Sequence, residues 1–464
     1  MEKAKPAKFF EHSLPGGRTA LISSLGDFSI LSSEELGQVK AGKLSKELER
    51  RLERDGLLIS GRNFESIAKR ARQRYRHVFE GVSLHIINPT LRCNHTCGYC
   101  YANARPINSR KTWLDLDNGT AEKILDFIWQ SPAKKIVMEF QGGEPLANFP
   151  VIEHIVNEAK KRKGKKVHFR IVSNLTMMDR TIAAFFQRNG IFDVCTSLDG
   201  PKEVHDRNRK ILGNKPSYEK VVHWINSLKR DFGFRHVGML PTITRHSLPF
   251  AKEIVDEYAS HGMQDIIPVM LRKVGRAKDN WDRIGYSAEQ YSRFWQETVE
   301  YCISLSSRGK MMAEQYSAIT VQKILGKGPG HTCFSKPCGA ALTQASYQPN
   351  GDIYACDESK AEPAFRIGSV DQNYATVFTS PEALNIVSLS STLGFLCNEC
   401  KWNPFCRFCP MLAYSSQGNP VPVLANDMDC AVKKHQIPFI FDRLFSKDRE
   451  ILLGWAGLDQ KPEF

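Results

Sequence analysis

Residues Ser83–Cys100 read SLHIINPTLRCNHTCGYC. A short apolar run, Ser83–Pro89, leads into a loop that carries Cys93, Cys97 and Cys100 in a C-x3-C-x2-C spacing. Such a run has the pattern of a buried strand. By composition alone, a chance occurrence of this cysteine spacing is on the order of one in a hundred. Three thiolates on one loop hold three irons of a [4Fe–4S] cube and leave the fourth iron open. An open iron is a binding position for a bidentate amino and carboxylate group. The plainer reading of the same loop is a zinc site with His95 as fourth ligand.

Moving outward, further apolar runs occur at Lys135–Gln141, Val167–Val172, Phe192–Leu198, His236–Thr242 and Asp265–Leu271. The stretches between them have helical apolar spacing. Ser217–Asp231, for example, places Val221, Val222, Ile225 and Leu228 on one face. Strand and helix alternating in this way predict βαβ units, an α/β class and a parallel sheet. Parallel strands joined so bring their carboxyl ends to one rim, where ligands bind. That rim carries the three-cysteine loop, Gly142–Gly143–Glu144, Ser173–Asn174, Ser197–Asp199 and Arg272–Arg276. The order of these groups counts against a zinc site.

The chain has 464 residues, a prior of roughly three domains. Its 13 cysteines fall mostly into two groups, Cys93–Cys100 and Cys333–Cys430. The N-terminus lacks the apolar core of a secretory signal and no apolar run is long enough for a membrane span. A cytoplasmic location follows, where clustered cysteines read as metal ligands rather than disulfides. Net charge is +14, much of it in Lys69–Arg76 and Lys160–Lys166. Without a nucleic-acid motif to accompany them, these runs read as solvated faces.

In the order Cys93, Cys97, Tyr99, Cys100, then Gly142–Gly143–Glu144–Pro145, the chain resembles the radical S-adenosylmethionine (SAM) superfamily. The resemblance implies a partial (β/α)6 TIM-like barrel over residues 81–330. It also implies a [4Fe–4S] cluster on Cys93, Cys97 and Cys100 and reductive cleavage of SAM to a 5′-deoxyadenosyl radical, which takes hydrogen from a substrate. Glu144 would accept from the methionine amino group and Ser173–Asn174 would contact the ribose. Ser197-Leu198-Asp199-Gly200 matches the fourth-strand motif of peptide-modifying members, and Arg207 and Arg209 are candidates for the carboxylate. An external one-electron donor of the flavodoxin or ferredoxin type is implied as partner, with a partner maturase an option.

Residues 331–464 carry a second resemblance, to the SPASM domain, through Cys397-x2-Cys400-x5-Cys406-x2-Cys409-x20-Cys430. Cys333-x4-Cys338 and Cys356 match its preceding half. By the family's interleaving, Cys333, Cys338, Cys356 and Cys409 ligate a first auxiliary cluster. Cys397, Cys400, Cys406 and Cys430 ligate a second, giving three [4Fe–4S] clusters in all. Paired zinc ribbons are the alternative. Regular patterning weakens here, so this part is expected to be loop-rich and held by metal. Asp357 stands where sulfatase maturases place a base. Cys195 and Cys302 read as buried apolar side chains.

Residues 1–80 read as a hairpin, Ala20–Ile22 with Phe28–Leu31, followed by helices at Ser33–Lys40, Ser45–Asp55 and Asn63–Arg76. They form a winged-helix-like module similar to the leader-recognition domains of ribosomal peptide maturases, with a linker helix. Such domains add a leader peptide as an extra strand; a stabilising cap on the barrel is the alternative. Over its whole length the chain looks most like the radical maturases of His-Xaa-Ser peptide systems. The function this implies is hydrogen abstraction from a ribosomally made peptide or protein side chain. The alternatives are a sulfatase-type formylglycine-generating enzyme and, outside enzymes, an iron–sulfur electron carrier.

Overall fold

A computed structural model describes residues 4–326, 332–392 and 397–458. Eight strands form the main sheet: β1 (Leu84–Ile87), β2 (Lys135–Phe140), β3 (Lys166–Val172), β4 (Asp193–Ser197), β5 (Gly238–Leu240), β6 (Gln344–Tyr347), β7 (Asp352–Tyr354) and β8 (Arg366–Ser369). Their spatial order is β5-β4-β3-β2-β1-β6-β7-β8. Strands β1 to β5 are parallel to their neighbours. The curve continues through the parallel pairs Thr242–Ile243 with Val269–Met270 and Asp265–Ile266 with Ala313–Glu314. All six apolar runs are strands. The sixth is split around Pro268, which has no N–H for a ladder.

Strand β3 shows how the barrel is built. Phe169 and Ile171 are buried under the helices, whereas Arg170 and Val172 face the lumen, as the period of two requires. Helix Phe149–Lys161 buries Val151, Ile152, Ile155, Val156 and Ala159, a stripe at helical spacing.

Strand β6 pairs in parallel with β1, and β7 and β8 return antiparallel. Residues after 330 therefore extend the same sheet, with Cys356 and Asp357 just beyond β7. Helix Met428–Leu444 packs on Ala288–Ser307 and Gln315–Ile324.

The N-terminal residues form a three-stranded antiparallel sheet, Phe9–Ser13, Thr19–Ser23 and Phe28–Leu31, one strand more than the expected hairpin. Ala20 and Ile22 face the main core. Leu21, between them, faces a small separate core with Leu31, Leu48, Leu52 and Leu57. Leu48 and Leu52 lie four apart on helix Lys46–Arg54, one turn of an otherwise charged segment. The sheet rests on the C-terminal part: His12 packs against Trp402 and Phe441, and Phe28 against Phe441 and Phe445. The basic runs are engaged locally. Arg70 and Arg74 reach Asp27, and Arg162 reaches Glu122 and Asp126. Among the described residues no helix is long and apolar enough to cross a membrane.

Candidate functional site

The three-cysteine loop leaves the carboxyl end of β1. Cys93 and Cys97 are buried and Cys100 is half-buried. Backbone bonds fix the loop from two sides: Thr96 N to Lys210 O at 2.8 Å, and Arg276 N to Cys100 O at 3.0 Å. Asn280 adds a bond from Nδ2 to Gly98 O at 3.0 Å. Burial, Glu144 and the neighbouring thiols push the Cys93 thiol up, and burial holds Cys97 at about 11. Two buried thiols that resist ionisation, with a third beside them, are a donor set that a metal cluster relieves, because coordination removes the proton. His95 instead spends Nε2 on Thr176 Oγ1 at 3.1 Å.

Gly142 and Gly143 run alongside the same loop. Gly143 N donates to Thr90 O at 2.9 Å and Glu144 N to Arg92 O at 2.8 Å. A Cβ on Gly143 would sit 2.2 Å from Arg92 O, and one on Gly142, whose φ is +119°, would sit 2.4 Å from Thr90 O. Only glycine permits this approach. Glu144 is buried, and burial raises its carboxyl to about 7 against the bonds it accepts. Those come from Ser173 Oγ at 2.7 Å, Asn174 N at 2.8 Å and Leu146 N at 3.1 Å. Ser173 and Asn174 are thereby locked to the GGE strand end.

Behind the loop, Asp199 is fully buried. It accepts from Tyr99 Oη at 2.6 Å, Arg209 Nε at 3.0 Å and Thr242 N at 3.1 Å. The Arg209 guanidinium lies over the Tyr99 ring, 5.1 Å from its centroid. Arg209 and Ser197 both line the central cavity. Among the described residues the Arg209 Nη atoms take part in no hydrogen bond, so that end of the guanidinium faces the cavity. Arg207 is exposed on helix Lys202–Asn208, away from the cavity that Arg209 reaches.

The central cavity is about 560 Å³, within the range of small-molecule sites. Cys93, Cys97 and Cys100 lie along one wall, and Asp357 with Glu358 reaches in from beyond β7. Asp357 accepts from Tyr101 Oη at 2.5 Å and pairs with Lys360 at 2.6 Å. Tyr101 Oη also lies 2.9 Å from Gln141 Oε1. Cys195 was expected to be a buried apolar side chain; its thiol instead faces the lumen, and burial pushes it up to about 12. Cys302 is fully buried as expected.

The remaining cysteines gather as two sets. Cys397, Cys400, Cys406 and Cys430 line one cavity of about 60 Å³, beside Lys336 and Lys433. Cys338 and Cys356 are each raised by burial and by Cys409 and Cys333, which places those four together. Arg407, buried between the sets, is held protonated by Asp429 and by Cys409, Cys333 and Cys338.

Sequence reasoning passed over Tyr101, Gln141, Lys360, Glu139 and Arg170. Tyr101 follows Cys100 and Gln141 precedes the glycine pair, so adjacency could have flagged both. The other three carry no such signal.

The sequence matches the radical SAM superfamily over residues 87–271. It is 31% identical over 248 residues to an uncharacterised protein of Methanocaldococcus jannaschii, covering 53% of this chain and 82% of that one. It is 24% identical over 338 residues to the cysteine-type anaerobic sulfatase-maturating enzyme of Clostridium novyi, covering 71% and 87%. Among solved structures, anSMEcpe with bound AdoMet superposes with a TM-score of 0.66 at 19% identity, covering 79% of this chain and all of that one. SuiB of Streptococcus suis bound to precursor peptide SuiA superposes at 0.54 and 15% identity, covering 92% of this chain and all of that one. Fold, cysteine loop and sequence agree: the chain belongs to the radical SAM superfamily.

Proposed function

We propose that this enzyme holds three [4Fe–4S] clusters and abstracts hydrogen from a side chain of a ribosomally made peptide or protein. The observation that carries the reading is one cavity that joins the three-cysteine loop to Asp357, with two four-cysteine sets behind it. Cys93, Cys97 and Cys100 would hold the first cluster. Cys333, Cys338, Cys356 and Cys409 would hold the second, and Cys397, Cys400, Cys406 and Cys430 the third. When bound, the first cluster and SAM supply a 5′-deoxyadenosyl radical.

The chain's residues bind and orient. The Gly142–Gly143 backbone and Glu144 offer acceptors to the amino group, Ser173 and Asn174 flank the ribose position, and Arg209 presents its free guanidinium edge to the carboxylate. Asp199 and Tyr99 keep that guanidinium in place. Asp357, paired with Lys360, is the acceptor for a proton released from substrate. The N-terminal sheet is assigned to leader recognition, with Phe28–Leu31 as the edge for an added strand. Lys401 already reaches the other edge, at Glu11 O. An external one-electron donor belongs to the same proposal.

A second reading, formylglycine formation on a sulfatase, is favoured by one observation: Asp357 stands in the cavity beside Tyr101 and Gln141. Relatives named as sulfatase-maturating enzymes point the same way, whereas SuiB, bound to a precursor peptide, supports the first.

The test is anaerobic reconstitution followed by reduction with SAM. About twelve irons and 5′-deoxyadenosine formation are expected. Iron near four, or zinc in its place, overturns the auxiliary clusters. Co-expression with short neighbouring reading frames, and with a sulfatase, then separates the two substrates by the mass change of the product.

A further inference from the structure

Barrel lumens are ordinarily packed with branched apolar side chains. Here three directly opposed residues of adjacent strands are charged: Glu139 on β2, Arg170 on β3 and Asp193 on β4. Arg170 donates from Nη1 to Glu139 Oε2 at 3.1 Å and from Nε to Asp193 Oδ2 at 2.9 Å. All three line the cavity that holds the cysteine loop. They sit three to four residues down the strands from the rim, roughly 10 Å at about 3.3 Å per residue. That places them past the groups assigned to the amino, ribose and carboxylate parts of SAM.

Only Glu139 of the three is buried, while Arg170 and Asp193 are partly exposed, and ion pairs of either kind are weak support for stability. This row is also unbalanced. It has two carboxylates for one guanidinium, although His168 gives Asp193 a second partner at 2.9 Å. The whole cavity is lined by five carboxylates against three guanidinium groups, in a chain of net charge +14. Burial resists ionisation of Glu139, with Arg170 opposing it, so an arriving cation would relieve a desolvated carboxylate. Space for a side chain exists on the rim side of the row, because the next lumen-facing pair on β4 and β5 is Cys195 and Gly238, two residues beyond Asp193. A Cβ on Gly238 would meet Cys195 Sγ at 3.4 Å.

The geometry points to Glu139, Arg170 and Asp193 as a specificity subsite that receives a cationic, hydrogen-bond-donating side chain of the substrate peptide. This rests on the peptide-modifying reading and deepens it by naming the side-chain class. The row also connects to Asp357. Gln141 donates to Glu139, and its Oε1 lies 2.9 Å from Tyr101 Oη, whose one proton goes to Asp357. A side chain seated on the row therefore lies one residue, Gln141, away from the Tyr101–Asp357 pair.

The test uses three end-blocked probes, N-acetyl-N′-methylamides of lysine, norleucine and glutamate. Each is titrated into the reconstituted enzyme with SAM under anaerobic conditions and read by equilibrium dialysis. The lysine probe is expected to bind at least tenfold tighter than norleucine, and the glutamate probe weaker than either. In Asp193→Asn and Glu139→Gln, both close in shape, the lysine-to-norleucine ratio should fall toward one. Equal binding of lysine and norleucine by the wild-type enzyme overturns the subsite, as does a ratio unchanged in both variants. The wild-type comparison stands even where a variant does not fold. Failure of SAM cleavage on reduction would instead sink the functional reading, and the dialysis result does not depend on cleavage.

Discussion

Gly143→Ala is the sharpest test of how the site is built. The added Cβ would lie 2.2 Å from Arg92 O and 2.6 Å from Arg92 C, both backbone atoms. Carbon contacts under 3.0 Å essentially never occur, so strand end and cysteine loop must part by about 0.8 Å. Arg92 immediately precedes Cys93, and Asp115 pins the Arg92 side chain at 2.6 Å, so the loop has little freedom to yield. Two hydrogen bonds, Gly143 N to Thr90 O and Glu144 N to Arg92 O, lie in the path of that shift. Their loss at roughly 1 kcal/mol each, with about 1–3 kcal/mol of overpacking, lowers stability by about 3–5 kcal/mol. A misplacement near 1 Å at reacting groups costs about 100-fold in rate. The assays are thermal unfolding and the rate of 5′-deoxyadenosine formation per iron bound. Gly37→Ala, where a Cβ meets nothing within 4 Å, is the control. A Gly143→Ala enzyme with cleavage within threefold of wild type and unchanged unfolding would refute the close-approach argument.

Four further outcomes follow from the same structure. Replacing Cys93, Cys97 and Cys100 together with Ala should abolish 5′-deoxyadenosine and lower iron by about four per chain; retained cleavage would refute the first cluster site. Asp357→Asn should lower product formed per 5′-deoxyadenosine, measured by mass spectrometry of peptide and nucleoside together; an unchanged ratio removes the proton-acceptor role. Asp199→Ala leaves the buried Arg209 without its carboxylate, at about 3–5 kcal/mol, and should raise KM for SAM; unchanged unfolding and KM would refute its anchoring role. Burial raises Glu314 to about 7 from an ordinary value of 4.5. The native state therefore holds a proton that the unfolded chain releases across that interval, and stability falls as pH rises through it. Glu314→Gln should flatten the decline in melting temperature between about pH 4.5 and 7, and a parallel decline in both proteins would refute the assignment.

Much of the fold is legible before any coordinates. Six apolar runs of strand length with helical spacing between them suffice for a parallel sheet, because strand and helix periods differ and βαβ links force parallel pairing. The cysteine spacing and the glycine pair were equally legible, since cluster ligands on one loop need close sequence spacing and a close backbone approach needs glycine. Adjacency in sequence carried each of these signals.

What only the tertiary structure decided depends on contacts between distant positions. β6 follows β5 by about a hundred residues yet pairs with β1, and so the chain after 330 continues the barrel sheet and Asp357 enters the cavity. Arg207 and Arg209 look equivalent in sequence; the end of helix Lys202–Asn208 exposes one and turns the other onto Asp199. Cys195 reads as one apolar residue among others in β4, but the strand's period places it on the lumen face. The charged row of Glu139, Arg170 and Asp193 is three isolated residues in the sequence, and strand register alone sets them side by side. Local pattern determines which elements form and which residues can bind iron, whereas register and long-range pairing determine which side chains face the reacting space.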